Sequence, residues 1–330
     1  MTTSTVTDVL LQVDRLTVEL PTRSGYAKAV DDLSFSVDAG EIMGIAGESG
    51  SGKTITALSL FGLLPNGARV SGSIKLDGVN LLALSRKRLR EIRGRQIAMV
   101  SQDPATALHP ILPIGTQLTE HMRYHLGVSK SEAMSRAAEL LETVRIPDPE
   151  QALRSYAGQF SGGMRQRIAI AVALAAEPRL LVADEPTTAL DVTVQAGILR
   201  LLDRLCRERG MSVIVITHDL GVMSATARRL SVMYAGRLAE AGPTSQLLGT
   251  PRHPYTRGLL AALPHPEAGH APLVPIGGSP PSLGRVPDGC PFHPRCKYAQ
   301  PSCATDRPEA EPIASDHLLA CPPDPLRVAS

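Results

Sequence analysis

The stretch Gly47-Glu48-Ser49-Gly50-Ser51-Gly52-Lys53-Thr54 holds the densest chemistry in the chain. It fits the phosphate-binding pattern G-x-x-x-x-G-K-[ST] at every specified position. Glycines let a backbone fold around an anion without side-chain clashes. The N–H groups of the loop then point inward at a helix start, where the helix dipole favours negative charge. Lys53 is placed to reach the β- and γ-phosphates of a bound nucleoside triphosphate, and the Thr54 hydroxyl to ligate Mg²⁺.

Phosphate binding alone does not hydrolyse anything. Hydrolysis also needs a carboxylate near the metal, a group that orients water and one that senses the γ-phosphate. Asp184 follows the apolar run Leu180 to Ala183 and is placed to hold Mg²⁺ through water; Glu185 beside it can orient or deprotonate the attacking water. Gln102 and His218 each close an apolar strand, at the carboxyl edge where ligands bind in open α/β sheets. Ser161-Gly162-Gly163-Met164-Arg165-Gln166 opens another helix and is a second anion site by the same physics. The first loop already holds a nucleotide, so this second site is expected to serve a nucleotide on another molecule. Tyr26 lies upstream at a distance suited to stacking on an adenine ring; its competing reading is an exposed loop tyrosine.

The elements that must position these groups are visible as periodicities. Leu11 to Leu20 alternates as a half-buried strand, and Leu33 to Val37 gives another. Ile42 to Ala46 is an apolar strand feeding the phosphate loop, and Lys53 to Leu64 a helix ended by Pro65-Asn66-Gly67. Val70 to Leu76 is a strand before an Asp77-Gly78 turn, Ser85 caps a basic helix, and Gln96 to Ser101 is a strand. From Pro104 to about Ala157 only helical periodicity is present, which reads as a helical subdomain inserted into an α/β core. Strands at Leu180–Ala183, Ser212–Thr217 and Leu230–Tyr234 alternate with helices at 161–176 and 192–209, the latter closed by Gly210. The expected fold is a P-loop NTPase core with a doubly wound, mostly parallel sheet and an antiparallel β subdomain. Residues 1–263 would form the nucleotide-binding domain and 264–330 a small irregular extension.

Bulk composition narrows the function classes. The 330 residues are 43% hydrophobic, enough for a real core. A net charge of +2, 3% aromatics and no Trp argue against a nucleic-acid partner. The N-terminus MTTSTVTDVL has no secretory pattern, and the longest uncharged apolar run, Ile168 to Ala176, is too short for a bilayer span. By itself the chain is expected to be soluble and cytosolic, with any membrane role coming from partner subunits.

Cys206 sits in a helical pattern and reads as a buried packing residue. Cys290, Cys296, Cys303 and Cys321 fall in the last 41 residues, which are rich in Pro and Gly and weak in periodicity. Such a tail cannot build much core alone. The cysteines are its candidate tie, through metal rather than disulfides. Their separations of 5, 6 and 17 residues lack the close pairs of most structural zinc sites. Four thiolates from an irregular segment suit a cubane cluster; zinc and unliganded cysteines remain alternatives, and His293 and His317 are nearby substitute ligands.

The chain resembles ATP-binding-cassette ATPases of the transporter type over about residues 10 to 265. In family order it carries the Walker A loop, the Gln102 Q-loop, the Ser161–Gln166 signature, Walker B with Glu185, the D-loop Ala189-Leu190-Asp191 and the His218 switch. The resemblance implies a head-to-tail dimer. Each ATP would lie between one subunit's Walker A loop and the other's Ser161, Gly162, Gly163 and Gln166, with Asp191 at the interface. Gln102 would join Thr54 and Asp184 around Mg²⁺. A narrower resemblance to oligopeptide and dipeptide importers rests on Gln102 to Pro110, on Arg252-His253-Pro254-Tyr255-Thr256-Arg257 and on Gly289 to Cys296. His109 stands where Asn is usual, and Ala157-Gly158 replaces a common Pro-His. This resemblance implies a second, different cassette, two membrane permeases, an extracytoplasmic solute-binding protein, a place on the cytoplasmic face of the membrane and a [4Fe–4S] cluster on the four cysteines. Nickel or another solute is the alternative cargo. A soluble DNA-repair or translation ATPase is disfavoured because no coiled-coil insert is visible, and a non-hydrolysing cassette because Glu185 and His218 are intact.

Overall fold

The structure is a computed structural model that describes residues 8–103, 107–187, 190–263 and 275–326. In chain order the elements begin with β1 (Val9–Thr22), β2 (Gly25–Asp38), β3 (Ile42–Ala46), α1 (Lys53–Leu60), β4 (Arg69–Leu76), β5 (Val79–Asn80), α2 (Arg86–Ile92) and β6 (Ile97–Val100). They continue with α3 (Ile114–Leu126), α4 (Lys130–Thr143), α5 (Pro149–Arg154), α6 (Gly162–Leu174), β7 (Leu180–Asp184), α7 (Val192–Arg209), β8 (Ser212–Thr217) and α8 (Leu220–Ser224). The last are β9 (Arg229–Tyr234), β10 (Arg237–Pro243), α9 (Thr244–Gly249), α10 (Pro254–Ala261), β11 (Glu311–Ala314) and β12 (His317–Leu319).

Two compact units share these elements: residues 1–38, 42–82 and 216–330, and residues 39–41 and 83–215. The first unit holds an antiparallel sheet in the order β2-β1-β4-β5. Leu11 and Val13 of β1 are buried, and an irregularity at Arg15 (φ 46°) then moves the buried set to Leu16 and Val18. Asp77 and Gly78 both take positive φ, 50° and 76°, the geometry of a tight hairpin turn between β4 and β5. The same unit holds the strand order β11-β12-β10-β9-β3, in which β3 and β9 run parallel and the rest antiparallel. The sheet is thus mixed.

Three expectations shift here. The second strand covers Gly25–Asp38, not only its apolar end, because pairing with β1 carries it through polar residues. Helix α1 stops at Leu60 instead of Leu64: Gly62 turns left-handed (φ 58°) and Leu63 N–H donates back to Leu58 O at 3.0 Å, a reversal that ends a helix. The tail was expected to lack hydrophobic anchorage, yet Phe292, Leu319 and Ala320 are buried and β12 pairs with β10.

In the second unit β6 and β7 pair in parallel, from Ile97↔Leu180 to Val100↔Ala183, in the order β8-β7-β6; Ser212–Val215 of β8 belong to this unit. Between β6 and β7 only helices are described. Helix α6 is apolar from Ile168 onward, and Ile168, Ile170 and Ala171 are fully buried. Helix α7 runs over the expected residues and ends on Gly210 at φ 62°, with Arg207 and Arg209 in its last turn. Cys206 is buried as expected and its thiol donates to Gly40 O at 3.2 Å. Among the described residues no helix is long and apolar enough to cross a membrane.

Candidate active site

Strand β3 is buried along its whole length and delivers Gly47 at φ 152°. A Cβ on Gly47 would lie 2.3 Å from Met233 O, and one on Gly52 (φ 101°) 2.7 Å from Ala29 O. Both walls are backbone, so only glycine fits. Gly50 (φ 80°) faces open space and is required by its backbone angle alone. Lys53 is buried, and its ammonium arcs back over the loop to donate to Gly47 O (2.7 Å) and Glu48 O (2.9 Å). Ser51 is buried and its carbonyl accepts from Gly236 N–H at 3.0 Å, while Ser49 and Thr54 are exposed. The result is a cradle of backbone N–H groups with one cation inside it, shaped for a polyphosphate.

Residues that sequence reasoning left without a role brace this cradle. Glu48 N–H donates to Tyr255 Oη at 2.7 Å. Tyr255 is fully buried, and burial pushes its phenol far above the usual range. The Glu48 carboxylate accepts two bonds from the Arg295 guanidinium, at 2.6 and 3.0 Å. The segment 252–257 therefore carries more than a resemblance: its tyrosine fixes the phosphate loop. No sequence pattern announced the Arg295 contact, because the two residues lie 247 positions apart. Tyr26 stands in β2, three residues before Ala29, 43% exposed, with the Arg69 guanidinium 3.6 Å above its ring. It is therefore a strand residue with one face already covered. His218 is exposed just beyond β8.

In the second unit the ends of β6 and β7 lie side by side, because Val100 pairs with Ala183. Gln102 and the Asp184-Glu185 pair thus share one sheet edge, as the sequence reading expects. Asp184 is buried. Glu185 takes φ 49°, a strained conformation for a non-glycine residue that re-aims its side chain at the strand end. Ser161 caps α6, its Oγ accepting from Met164 N–H at 3.4 Å; Ser161 and Gly162 are exposed. Gln166 is buried one turn in, and its Nε2 has no hydrogen-bond partner among the described residues. Asp191 caps α7 through Val194 N–H at 2.9 Å. Gly163 packs against this start, where a Cβ would meet Val194 Cγ1 at 2.8 Å. Sequence reasoning missed Gln117, which ties down the segment after the Q-loop. It accepts from His109 N–H at 2.8 Å and donates to His109 O (3.0 Å) and Leu112 O (2.8 Å). Pro104 to Thr106 and Ala189, part of the Q-loop and D-loop readings, lie outside the described residues.

The tail belongs to the first unit. Cys290 N–H donates to Cys303 O at 2.8 Å. Burial raises the thiols of Cys290 and Cys296, and it pushes Cys321 up to about 12, with Cys290, Cys296 and Cys303 adding to it. All four are free thiols. Among the described residues, however, no three His, Cys, Asp or Glu side chains stand in a metal-holding group. His317 is engaged elsewhere, its Nε2 2.8 Å from the buried Glu240 carboxylate. His293 Nδ1 bonds Cys290 O. Glu240 also accepts from Arg252 N–H (2.8 Å) and His253 N–H (3.0 Å). Phe292 packs edge-on against Tyr234 and beside Tyr255, and Arg252 pairs with Asp324. Arg307 reaches Asp31, whose carboxyl burial would raise, but which Lys28 and Arg237 hold below its usual value.

The glycine cradle and the carboxylates closing buried strands define a P-loop nucleotide-binding protein. Residues 30–188 match the family described as ABC transporter, and residues 239–303 match the oligopeptide/dipeptide transporter C-terminal region. A Brucella abortus (strain 2308) protein named for peptide import and ATP binding is 48% identical, over 98% of this chain and 97% of its own. The oligopeptide transport ATP-binding protein OppD of Salmonella typhimurium is 46% identical, over 95% of this chain and 93% of its own. The dimeric ATP-binding cassette MJ0796, solved in a post-hydrolysis state with ADP and Pi, is 27% identical with a TM-score of 0.64, covering 71% of this chain and 98% of that one. The chain belongs to the ABC transporter family, in the branch that carries the oligopeptide/dipeptide C-terminal region.

Proposed function

We propose that the chain is the ATP-hydrolysing subunit of an ABC importer for di- and oligopeptides. The observation that carries this reading is the phosphate cradle, whose Gly47 and Gly52 admit no side chain and whose interior holds Lys53. Lys53 and the N–H groups of the loop grip the phosphates, and Tyr26 offers its free ring face to adenine. Thr54, Asp184 and Gln102 would hold Mg²⁺, which when bound neutralises charge on the β- and γ-phosphates. Glu185 orients the attacking water, and His218 senses the γ-phosphate. Ser161, Gly162, Gly163, Gln166 and Asp191 serve the nucleotide of a second cassette, which the family habit makes a different chain.

Residues 1–263 act as the nucleotide-binding domain, with 104–157 as its helical subdomain. An open groove of about 1290 Å³ between α4 and α5, lined by Met134, Ala138, Ile146 and Leu153, lies in that subdomain. Two permeases would dock on the helical subdomain and the Q-loop and hold the protein at the cytoplasmic face of the membrane, with a solute-binding protein feeding them from the other side. The match over the C-terminal region favours peptide over nickel as cargo. Reconstitution with the permeases and the solute-binding protein tests this: added peptide should raise ATP turnover severalfold, and nickel stimulating where peptides do not would reverse the cargo.

Four cysteines in the irregular segment 264–330, without the close pairs of most structural zinc sites, favour a [4Fe–4S] cluster on Cys290, Cys296, Cys303 and Cys321 over zinc. Binding would require the sulfurs to close up, and a bound cation would reverse the upward push on Cys321. Anaerobic protein should be brown, with roughly four irons per chain, one per thiolate. A colourless preparation with one zinc per chain would favour zinc.

A further inference from the structure

A carboxylate in a phosphate-binding loop has the wrong charge, and Glu48 is such a carboxylate. Its N–H is also turned away from the cradle, onto Tyr255 Oη at 2.7 Å. The residue is tolerated because Arg295 meets it with a two-pronged ion pair at 2.6 and 3.0 Å. Arg295 is itself held from the other side. Its Nε donates to Gly277 O at 2.8 Å, its Nη1 lies 3.3 Å from Tyr234 Oη, and its side chain is only 5% exposed. Tyr234 and Phe292 flank the guanidinium at 5.8 and 5.9 Å. A bidentate pair between pre-positioned groups fixes geometry as well as charge.

We infer that Arg295, from the C-terminal extension, is a positioning residue for nucleotide binding: it cancels the Glu48 charge and holds the phosphate loop open for a triphosphate. The inference rests on the ATP-binding reading above. It predicts an effect of defined sign. Without Arg295, the bare carboxylate repels the polyphosphate, and the repulsion vanishes if Glu48 is neutralised as well. A merely structural contact would behave the other way, with the double variant no better than the single.

The test is MgATP titration of the full chain. Arg295→Met should weaken binding about tenfold, the size expected of one unit charge several ångströms away in a partly solvated setting. The loss should shrink at high salt and with ADP in place of ATP. Arg295→Met/Glu48→Gln should recover most of the affinity, and Arg295→Lys should fall between. Glu48→Gln alone should bind MgATP more tightly than the parent, and it keeps the test open if Arg295→Met does not fold. In the assembled transporter KM for ATP should rise while kcat moves little. Parental affinity in Arg295→Met, no recovery in the double variant, or weaker binding by Glu48→Gln would overturn the inference. A parent chain that does not bind MgATP would instead overturn the reading beneath it.

Discussion

Two glycine-rich helix starts in this chain obey the same physics and are finished differently. The start of α1 has no side-chain cap, because its N-cap residue is Gly52, at φ 101°. It is walled by the carbonyls of Ala29 and Met233, filled by Lys53 and braced by Tyr255 and Arg295. The start of α6 is capped by its own Ser161, stands exposed, and keeps a buried Gln166 Nε2 with no hydrogen-bond partner among the described residues. The first is complete within its own unit. The second is a surface, which is what a site for another subunit's phosphate requires.

The largest expected effect lies beyond both helix starts, at the strand end proposed to orient the attacking water. Glu185→Gln should lower turnover in the assembled transporter by on the order of 10²–10⁴ while MgATP binding persists. Turnover at the parent rate would remove Glu185 from its role. Next come two substitutions that probe the walls. Gly47→Ala drives a Cβ into backbone and should cost on the order of 3 kcal/mol or abolish nucleotide binding. Gly163→Ala meets the Val194 side chain, not backbone, and the gain in helix propensity of about 1 kcal/mol offsets part of the cost. Thermal melts of the two variants should differ clearly; equal losses would mean the two starts are equally enclosed.

A smaller effect concerns the brace. Burial lowers His253 to about 4, with a partly opposing bond to Ala320 of the tail. The unfolded chain takes up this proton below about pH 6.5, whereas the folded chain does not. Stability from this site is therefore complete above about pH 6.5 and is lost as pH falls toward 4. Limited proteolysis should show residues 275–326 released first in that window, and His253→Gln should flatten the dependence.

The sequence made the phosphate loop, the strand-end carboxylates and the helix boundaries at Val192 and Gly210 legible, because each rests on local spacing. What it hid is long-range. Glu48 and Arg295, Glu240 and His317, and Asp31 and Arg307 are each pairs far apart in the chain with no periodicity linking them. The tail misled for the same reason. Its composition is that of a segment without a core, yet Phe292 inserts beside Tyr234 and Tyr255, and β12 adds to a strand far earlier in the chain, as Glu240 pairs with Leu319 and Ala241 with Leu318. Strand β10 is not legible because Arg237 and Glu240 interrupt its apolar pattern, although it pairs with β9 along its length and with β12 on its other edge. The antiparallel sheet was only half seen, since β2 gains its polar residues through pairing instead of pattern.

The central claim is that α1 binds a nucleotide by itself and α6 serves the nucleotide of a second cassette. Size measurement with MgATP on a Glu185→Gln background, with the partner cassette present, tests it most directly. A closed dimer should form, and Ser161→Arg should abolish it without changing the affinity of the single chain for MgATP. Equal dimerisation with and without Ser161→Arg would contradict it.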